Sequence, residues 1–208
     1  AINGGGWDPA SDVLDYVTIQ STGNALDFGN LSVAREVDVA AGSSTRGIWA
    51  GGISPGSPYT YHNVIEYVTI ATLGNAQDFG DLATASWGGC GSGNATRMIM
   101  FGGQAVASPA SYDGSISSIT IASGGNAVKF GDLLQSGGLR QHGSASSPTR
   151  GMFAGGSNDT PSASTVYNQI QYVEIATEGD AVDFGDLVGG TARWQIMNGT
   201  TSNAHGGL

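Results

Sequence analysis

The five residues "DFGDL" occur at 78–82 and again at 183–187, with "DFGNL" at 27–31 and "KFGDL" at 129–133. Each is preceded at a fixed distance by a second phrase: "DYVTI" (15–19), "EYVTI" (66–70), "SSITI" (117–121) and "QYVEI" (171–175). The phrase phenylalanines Phe28, Phe79, Phe130 and Phe184 stand 51, 51 and 54 residues apart, and the passage from Phe184 through the C-terminus to Phe28 is 52. The 208-residue chain therefore carries four repeats, with its two ends falling inside one of them. An open solenoid gains nothing from that cut. A closed ring does, because one unit is completed by strands from both termini and no sheet edge is left bare. We read one domain over residues 1–208, with repeats at roughly 1–46, 47–97, 98–150 and 151–204.

Four short extended segments can be read in each repeat. In the second, "ASWGGCGS" (85–92) is small and apolar and suits an innermost strand. "TRMIMFGG" (96–103) ends in a Gly pair, "GSISSITIAS" (114–123) alternates with period two, and "AVKFGDLL" (127–134) closes the unit. Gly, Asn, Ser and Pro cluster between these runs, as turns require. The expected architecture is all-β: a four-bladed β-propeller with four antiparallel strands per blade, closed by strands from both termini. The N-terminus would supply the outer three strands of one blade, and residues near 192–201 its inner strand. The alternative is an arc cut from a longer array.

The segments "TRGIWAGG" (45–52), "TRMIMFGG" (96–103) and "TRGMFAGG" (149–156) resemble the Arg…Gly-Gly core of a kelch repeat. "VIEYVTI" stands where the kelch Tyr strand would stand, and Phe replaces the usual Trp in "DFGDL". The "GNAxDFGDL" signature departs from standard kelch. It is similar to kelch-like repeats of structural proteins of tailed bacteriophages. That resemblance implies a virion or extracellular location, as a tail-fibre or decoration component.

Composition narrows the function classes. Seventeen acids against seven bases give a formal net charge of −10, and nothing basic clusters. A surface that tracks phosphates needs concentrated positive charge, so nucleic acid is not an expected partner. No apolar run approaches the roughly 18 residues of a membrane span. Cys90 is the single cysteine, which rules out a disulfide within the chain and points to a small buried filler. There is no P-loop, HExxH or Cys–His arrangement, so a propeller enzyme is the weaker alternative and no cofactor is expected.

The framework phrases barely change, whereas the segments after each Gly pair differ in length and content. They carry Trp7, Tyr59, Tyr61, His62, Tyr112 and Tyr167. At equivalent positions in a ring they crowd one face, and variable loops on a rigid scaffold suit recognition. A second set, Glu36, Trp87, Arg140 and Trp194, lies just past each "FGDL" phrase and could surround the mouth of the central channel or simply plug it. Arg46, Arg97 and Arg150 recur at one position and are read as ties between blades through backbone carbonyls or carboxylates rather than an anion ring; His205 falls near the fourth such place. The acids Asp27, Asp78, Asp81, Asp132, Asp183 and Asp186 are read as turn caps and inter-blade partners, with no metal site, because their spacing lacks the density of a calcium loop. The expected function is a non-catalytic adhesion module that recognises a host surface glycan or a virion protein through its loop face, within a symmetric assembly. A purely structural virion component is the alternative.

Overall fold

In the computed structural model, residues 1–188 except 108–109 and 161–162 are described. They are all-β. The first three strands, β1 (Ile2–Trp7), β2 (Ala10–Tyr16) and β3 (Leu26–Asn30), form an antiparallel sheet in chain order. Next come β4 (Val39–Gly42), β5 (Arg46–Ala50), β6 (Ile53–Ser54), β7 (Thr60–Tyr61), β8 (Val64–Thr69) and β9 (Gln77–Asp81). They are followed by β10 (Cys90–Gly93), β11 (Arg97–Phe101), β12 (Gln104–Ala107), β13 (Ala110–Tyr112), β14 (Ser115–Thr120) and β15 (Val128–Asp132). The last set is β16 (Gly143–Ser146), β17 (Arg150–Ala154), β18 (Ser157–Thr160), β19 (Ala163–Val166), β20 (Gln169–Glu174) and β21 (Val182–Asp186). Each set of six makes a four-stranded antiparallel sheet, β4-β5-β8-β9, β10-β11-β14-β15 and β16-β17-β20-β21, plus a two-stranded hairpin from its middle pair.

The strands read from sequence are present in the expected order, and the N-terminus supplies three strands of the first sheet. The inner strand expected near 192–201 lies outside the described residues. A cavity of about 330 Å³ opens beside β1, bounded by Ile2, Ala40, Ala41 and Trp49.

The first strands of the three four-stranded sheets, β4, β10 and β16, are built from small residues because they approach one another closely. Ser144 Oγ donates to the Gly91 carbonyl at 2.7 Å, and Ser146 Oγ to that of Gly93 at 2.7 Å. A Cβ on Gly91 would stand only 3.1 Å from the Ala40 carbonyl oxygen. The next strands carry the bulk: Ile48, Trp49, Met98, Ile99, Phe101 and Phe153 are all buried. The core lies between sheets, in three clusters. Phe28 packs with Trp49 and Val68, Phe79 with Met98, Ile119 and Ile121, and Phe130 with Phe153, Val173 and Ile175.

The "FG" phrase has a definite mechanical role. Where the "FG" strand pairs with its neighbour the register slips once, so that Leu14 pairs with Gly29 while Asp15 pairs with Asp27. The same slip lies between Ile65 and Glu66, Ile116 and Ser117, and Ile170 and Gln171. The extra residue is the phenylalanine each time, and such a bulge re-aims its side chain. Phe28, Phe79 and Phe130 are thereby buried to 3–4% exposure, whereas Phe184 is 52% exposed.

Adjacent sheets are sewn together by a repeated seam. Gly74 N–H donates to the Phe28 carbonyl (2.8 Å) and Ala76 N–H to that of Asn30 (2.8 Å); Asn30 N–H donates to Asn75 Oδ1 (3.1 Å). Gly125, Ala127 and Asn126 repeat this on β9, and Gly179, Ala181 and Asp180 on β15. The "GN" and "GD" dipeptides before each phrase thus serve as inter-sheet connectors. The inter-sheet side-chain acceptors are Asn75, Asn126 and Asp180, rather than the acids of the "DFGDL" phrase. Arg46 and Arg97 act as the sequence suggested. Arg46 Nη1 donates to the Ile121 carbonyl (2.7 Å) and Arg97 Nη1 to the Ile175 carbonyl (2.9 Å), each on the following sheet. Arg150 instead meets the half-exposed Glu174 of its own sheet at 2.6 Å. His205 lies outside the described residues.

Sequence reading did not single out the most deeply buried charges. Arg35 and Glu66 are 0% and 1% exposed and meet at 2.6 Å. Arg35 Nε also donates to the Gly51 carbonyl (2.8 Å), and Glu66 Oε1 accepts from Ser32 N–H (2.8 Å). The corresponding place in the last sheet is held by the uncharged trio Gln135, Gln169 and Gln171.

Candidate functional site

The segments after the Gly pairs are hairpins because each pair reverses the backbone. Gly51 (φ 64°) and Gly52 (φ 111°) take conformations an L-residue rarely adopts, and a Cβ on Gly52 would lie 2.2 Å from the Glu36 carbonyl oxygen. That close approach is a two-way backbone bridge: Glu36 pairs with Ile53, Trp87 with Gln104, and Arg140 with Ser157. The bridges make Glu36, Trp87 and Arg140 structurally equivalent. Trp194 lies outside the described residues.

Several residues of the loop set and of the set past each "FGDL" phrase come together. Arg140 Nη1 donates to Gln104 Oε1 (3.0 Å), and the guanidinium stands 5.5 Å from the Trp87 ring centroid and 5.8 Å from that of Tyr112. Tyr61 lies within the fields of Arg140, Tyr112 and Tyr59; burial raises its hydroxyl pKa and Arg140 opposes the rise. Tyr59, 49% exposed, is stacked at a tilt on Trp7 with centroids 5.7 Å apart. The result is a band of aromatic faces running from Trp7 to Trp87, with a guanidinium set among them.

Acids lie beside this band. Burial raises the Glu36 carboxyl, and the neighbouring Trp87 indole N–H partly offsets it. Asp38 is pushed up to about 7, first by burial and then by the charge of Glu36, while the Gly88 N–H it accepts (3.1 Å) works the other way. Two further polar atoms are buried without a well-formed hydrogen bond: Trp87 Nε1 and the Oε1 of Gln141. Gln141, 5% exposed, packs beside Gly88 and is the non-glycine residue with φ of 58°. A donor shared with Glu36 and a spare acceptor next to aromatic faces suit a polar, hydroxyl-bearing ligand.

Two sequence candidates belong elsewhere. Tyr167 packs against the cluster of Phe101, Phe130 and Phe153, so its ring serves the core. His62 Nε2 shares a 2.8 Å hydrogen bond with Ser54 Oγ, which in turn donates to the Ala34 carbonyl (2.7 Å); burial lowers its pKa. Cys90 is buried, with its thiol pushed far up by burial, as a filler should be. His142 was not singled out from sequence; burial lowers it to about 4 and keeps it neutral. Among the described residues no group of three or more His, Cys, Asp or Glu could hold a metal ion.

Comparison with known proteins gives the fold and little else. No family model and no curated protein matches the chain. Among solved structures it is similar to one titled "Structure of YjhT", with a TM-score of 0.69 and 10% identity. The match covers 87% of this chain and 61% of that one, so this chain spans about three fifths of its length.

Proposed function

We propose that this chain is a non-catalytic binding module that takes carbohydrate at the aromatic mouth. The scaffold is a four-bladed kelch-like propeller, closed by strands from both termini. The observation that carries the reading is Arg140 held over both Trp87 and Tyr112. Aromatic faces offer large contact area at low entropy cost and suit the C–H face of a sugar ring. Arg140, Glu36, Trp87 Nε1 and Gln141 Oε1 would meet its hydroxyls. The repeat variant adds the setting, a tailed-phage virion component that adheres to a host surface glycan. The test is binding of the labelled domain to a glycan array and to intact bacterial cells, repeated with Trp87→Ala and with Tyr59→Ala/Tyr61→Ala. Saturable binding lost in both variants, with unchanged melting, is the expected result. A folded domain silent on both surfaces overturns it in favour of a structural part that contacts other proteins of the same particle.

A further inference from the structure

The seam between sheets is made three times, and its two halves are each left over once. The acceptor half is the "FGD" edge: the carbonyls of Phe28 and Asn30, Phe79 and Asp81, and Phe130 and Asp132 are all engaged by the repeat that follows. On β21 the same edge is fully formed, and Leu187 N–H donates to the Asn168 carbonyl as Leu82 does to Asn63. Yet Phe184 is 52% exposed, and a Cβ on Gly185 would meet nothing within 4 Å, whereas one on Gly29 or Gly80 would strike the backbone of Gly74 or Gly125 at 2.3–2.4 Å. Gly185 keeps the same strained φ, 141° against 150° and 149°. The backbone is therefore shaped for a neighbour, and no described residue takes that place.

The connector half is left over at the other end. Gly23, Asn24 and Ala25 match Gly74-Asn75-Ala76 residue for residue, but all three are exposed. Ile19, equivalent to the buried Ile121 and Ile175 (each 1% exposed), is 78% exposed. The carbonyls of Ile121 and Ile175 are those that Arg46 and Arg97 engage from the preceding sheet. Arg150, the third arginine of the series, is solvent-exposed on Glu174.

We propose that Gly23, Asn24 and Ala25 latch onto β21 of the same chain. By the template of the other seams, Gly23 N–H donates to the Phe184 carbonyl and Ala25 N–H to that of Asp186. Asp186 N–H donates to Asn24 Oδ1. Arg150 leaves Glu174 for the Ile19 carbonyl, and Phe184 becomes the plug of a fourth core. The inference rests on the ring assumed above and supplies the contact that closes it. The occupant is this chain's own segment because the two unmatched halves repeat, residue for residue, the halves that join in the other three seams.

The experiment is amide hydrogen exchange by NMR on the whole chain, with its mass in solution measured on the same sample. Gly23, Ala25 and Asp186 should be protected within about tenfold of their counterparts Gly74, Ala76 and Asp81, in a monomer. Protection that appears only in a dimer or larger species overturns the proposal by showing that the seam joins copies. Exchange of these three amides at open-chain rates overturns it as well. Gly185→Ala gives an independent reading against Gly80→Ala, since both carry the φ penalty and differ only in the neighbour. Equal losses of melting temperature support the latch; a Gly185→Ala loss well below that of Gly80→Ala refutes it. These readouts need no ligand, so the latch and carbohydrate binding stand or fall separately.

Discussion

Removing Glu66 should be one of the most damaging single changes in the molecule. Its carboxylate meets Arg35 at 2.6 Å with both side chains essentially inaccessible, and it also accepts the Ser32 N–H. In Glu66→Ala the guanidinium keeps the Gly51 and Val33 carbonyls but has no counter-charge. A buried ion stripped of its partner costs about 3–5 kcal/mol. At this chain length each kcal/mol shifts the melting temperature by about 2–4 °C, so the expected loss is about 6–20 °C. Because water and ions do not reach the pair, the loss should change little between low and high salt. The double variant Arg35→Met/Glu66→Leu removes both charges at similar volume and should recover most of the loss, since two desolvation costs vanish with the attraction. The assay is thermal and urea unfolding of the parent, Arg35→Met, Glu66→Leu and the double variant, with Glu66→Ala measured beside them. A Glu66→Ala loss below about 1 kcal/mol, or a double variant as unstable as the sum of the singles, would show that the pair is not coupled and refute the argument.

Other outcomes follow from the same geometry. Phe79→Ala should cost about 3–5 kcal/mol by urea unfolding, because the ring is 4% exposed between two sheets. Asp38 titrates near 7 in the fold against 3.8 for an ordinary Asp, so the folded state holds the extra proton between those values. Its contribution to stability falls as pH rises through that window and levels off above it. Asp38→Asn keeps an oxygen for Gly88 and should gain on the parent chain from pH 4 to 7 in parallel melting curves; equal curves at both ends would show that the carboxyl is not held protonated. His142 acts in the opposite sense, losing stability as pH falls from 6.5 towards 4, but equally in both proteins. Cys90 should resist alkylation at pH 8 until the chain is unfolded, as followed by mass spectrometry, because its thiol is buried and pushed far up. Tyr167→Ala should lower the melting temperature and leave carbohydrate binding intact, the reverse of Tyr59→Ala/Tyr61→Ala.

The repeat could be read without coordinates because it is local and written four times. Strand order within each sheet, the small inner strands and the inter-sheet arginines Arg46 and Arg97 all follow from short-range pattern. The equivalence of Glu36, Trp87 and Arg140 was legible too, since it needs only counting from the "FGDL" phrase. What pattern could not show is which side chains meet across 30–100 residues of chain. Arg35 has no counterpart in the other repeats that would flag it, and it found Glu66 only through folding. Tyr167 and Tyr112 look alike in sequence, yet one faces the core and the other Arg140. That Arg140 meets Tyr112 and Gln104 of the preceding hairpin is likewise a long-range matter.

The sequence by itself determined the sheets, because bulge, glycine and alternation act within a few residues and are repeated faithfully. Only the tertiary structure decided the seams, because a "GNA" connector has no partner until a neighbouring "FGD" edge is brought beside it. That edge, with its glycine already at a strained φ, is set by the fold before anything fills it.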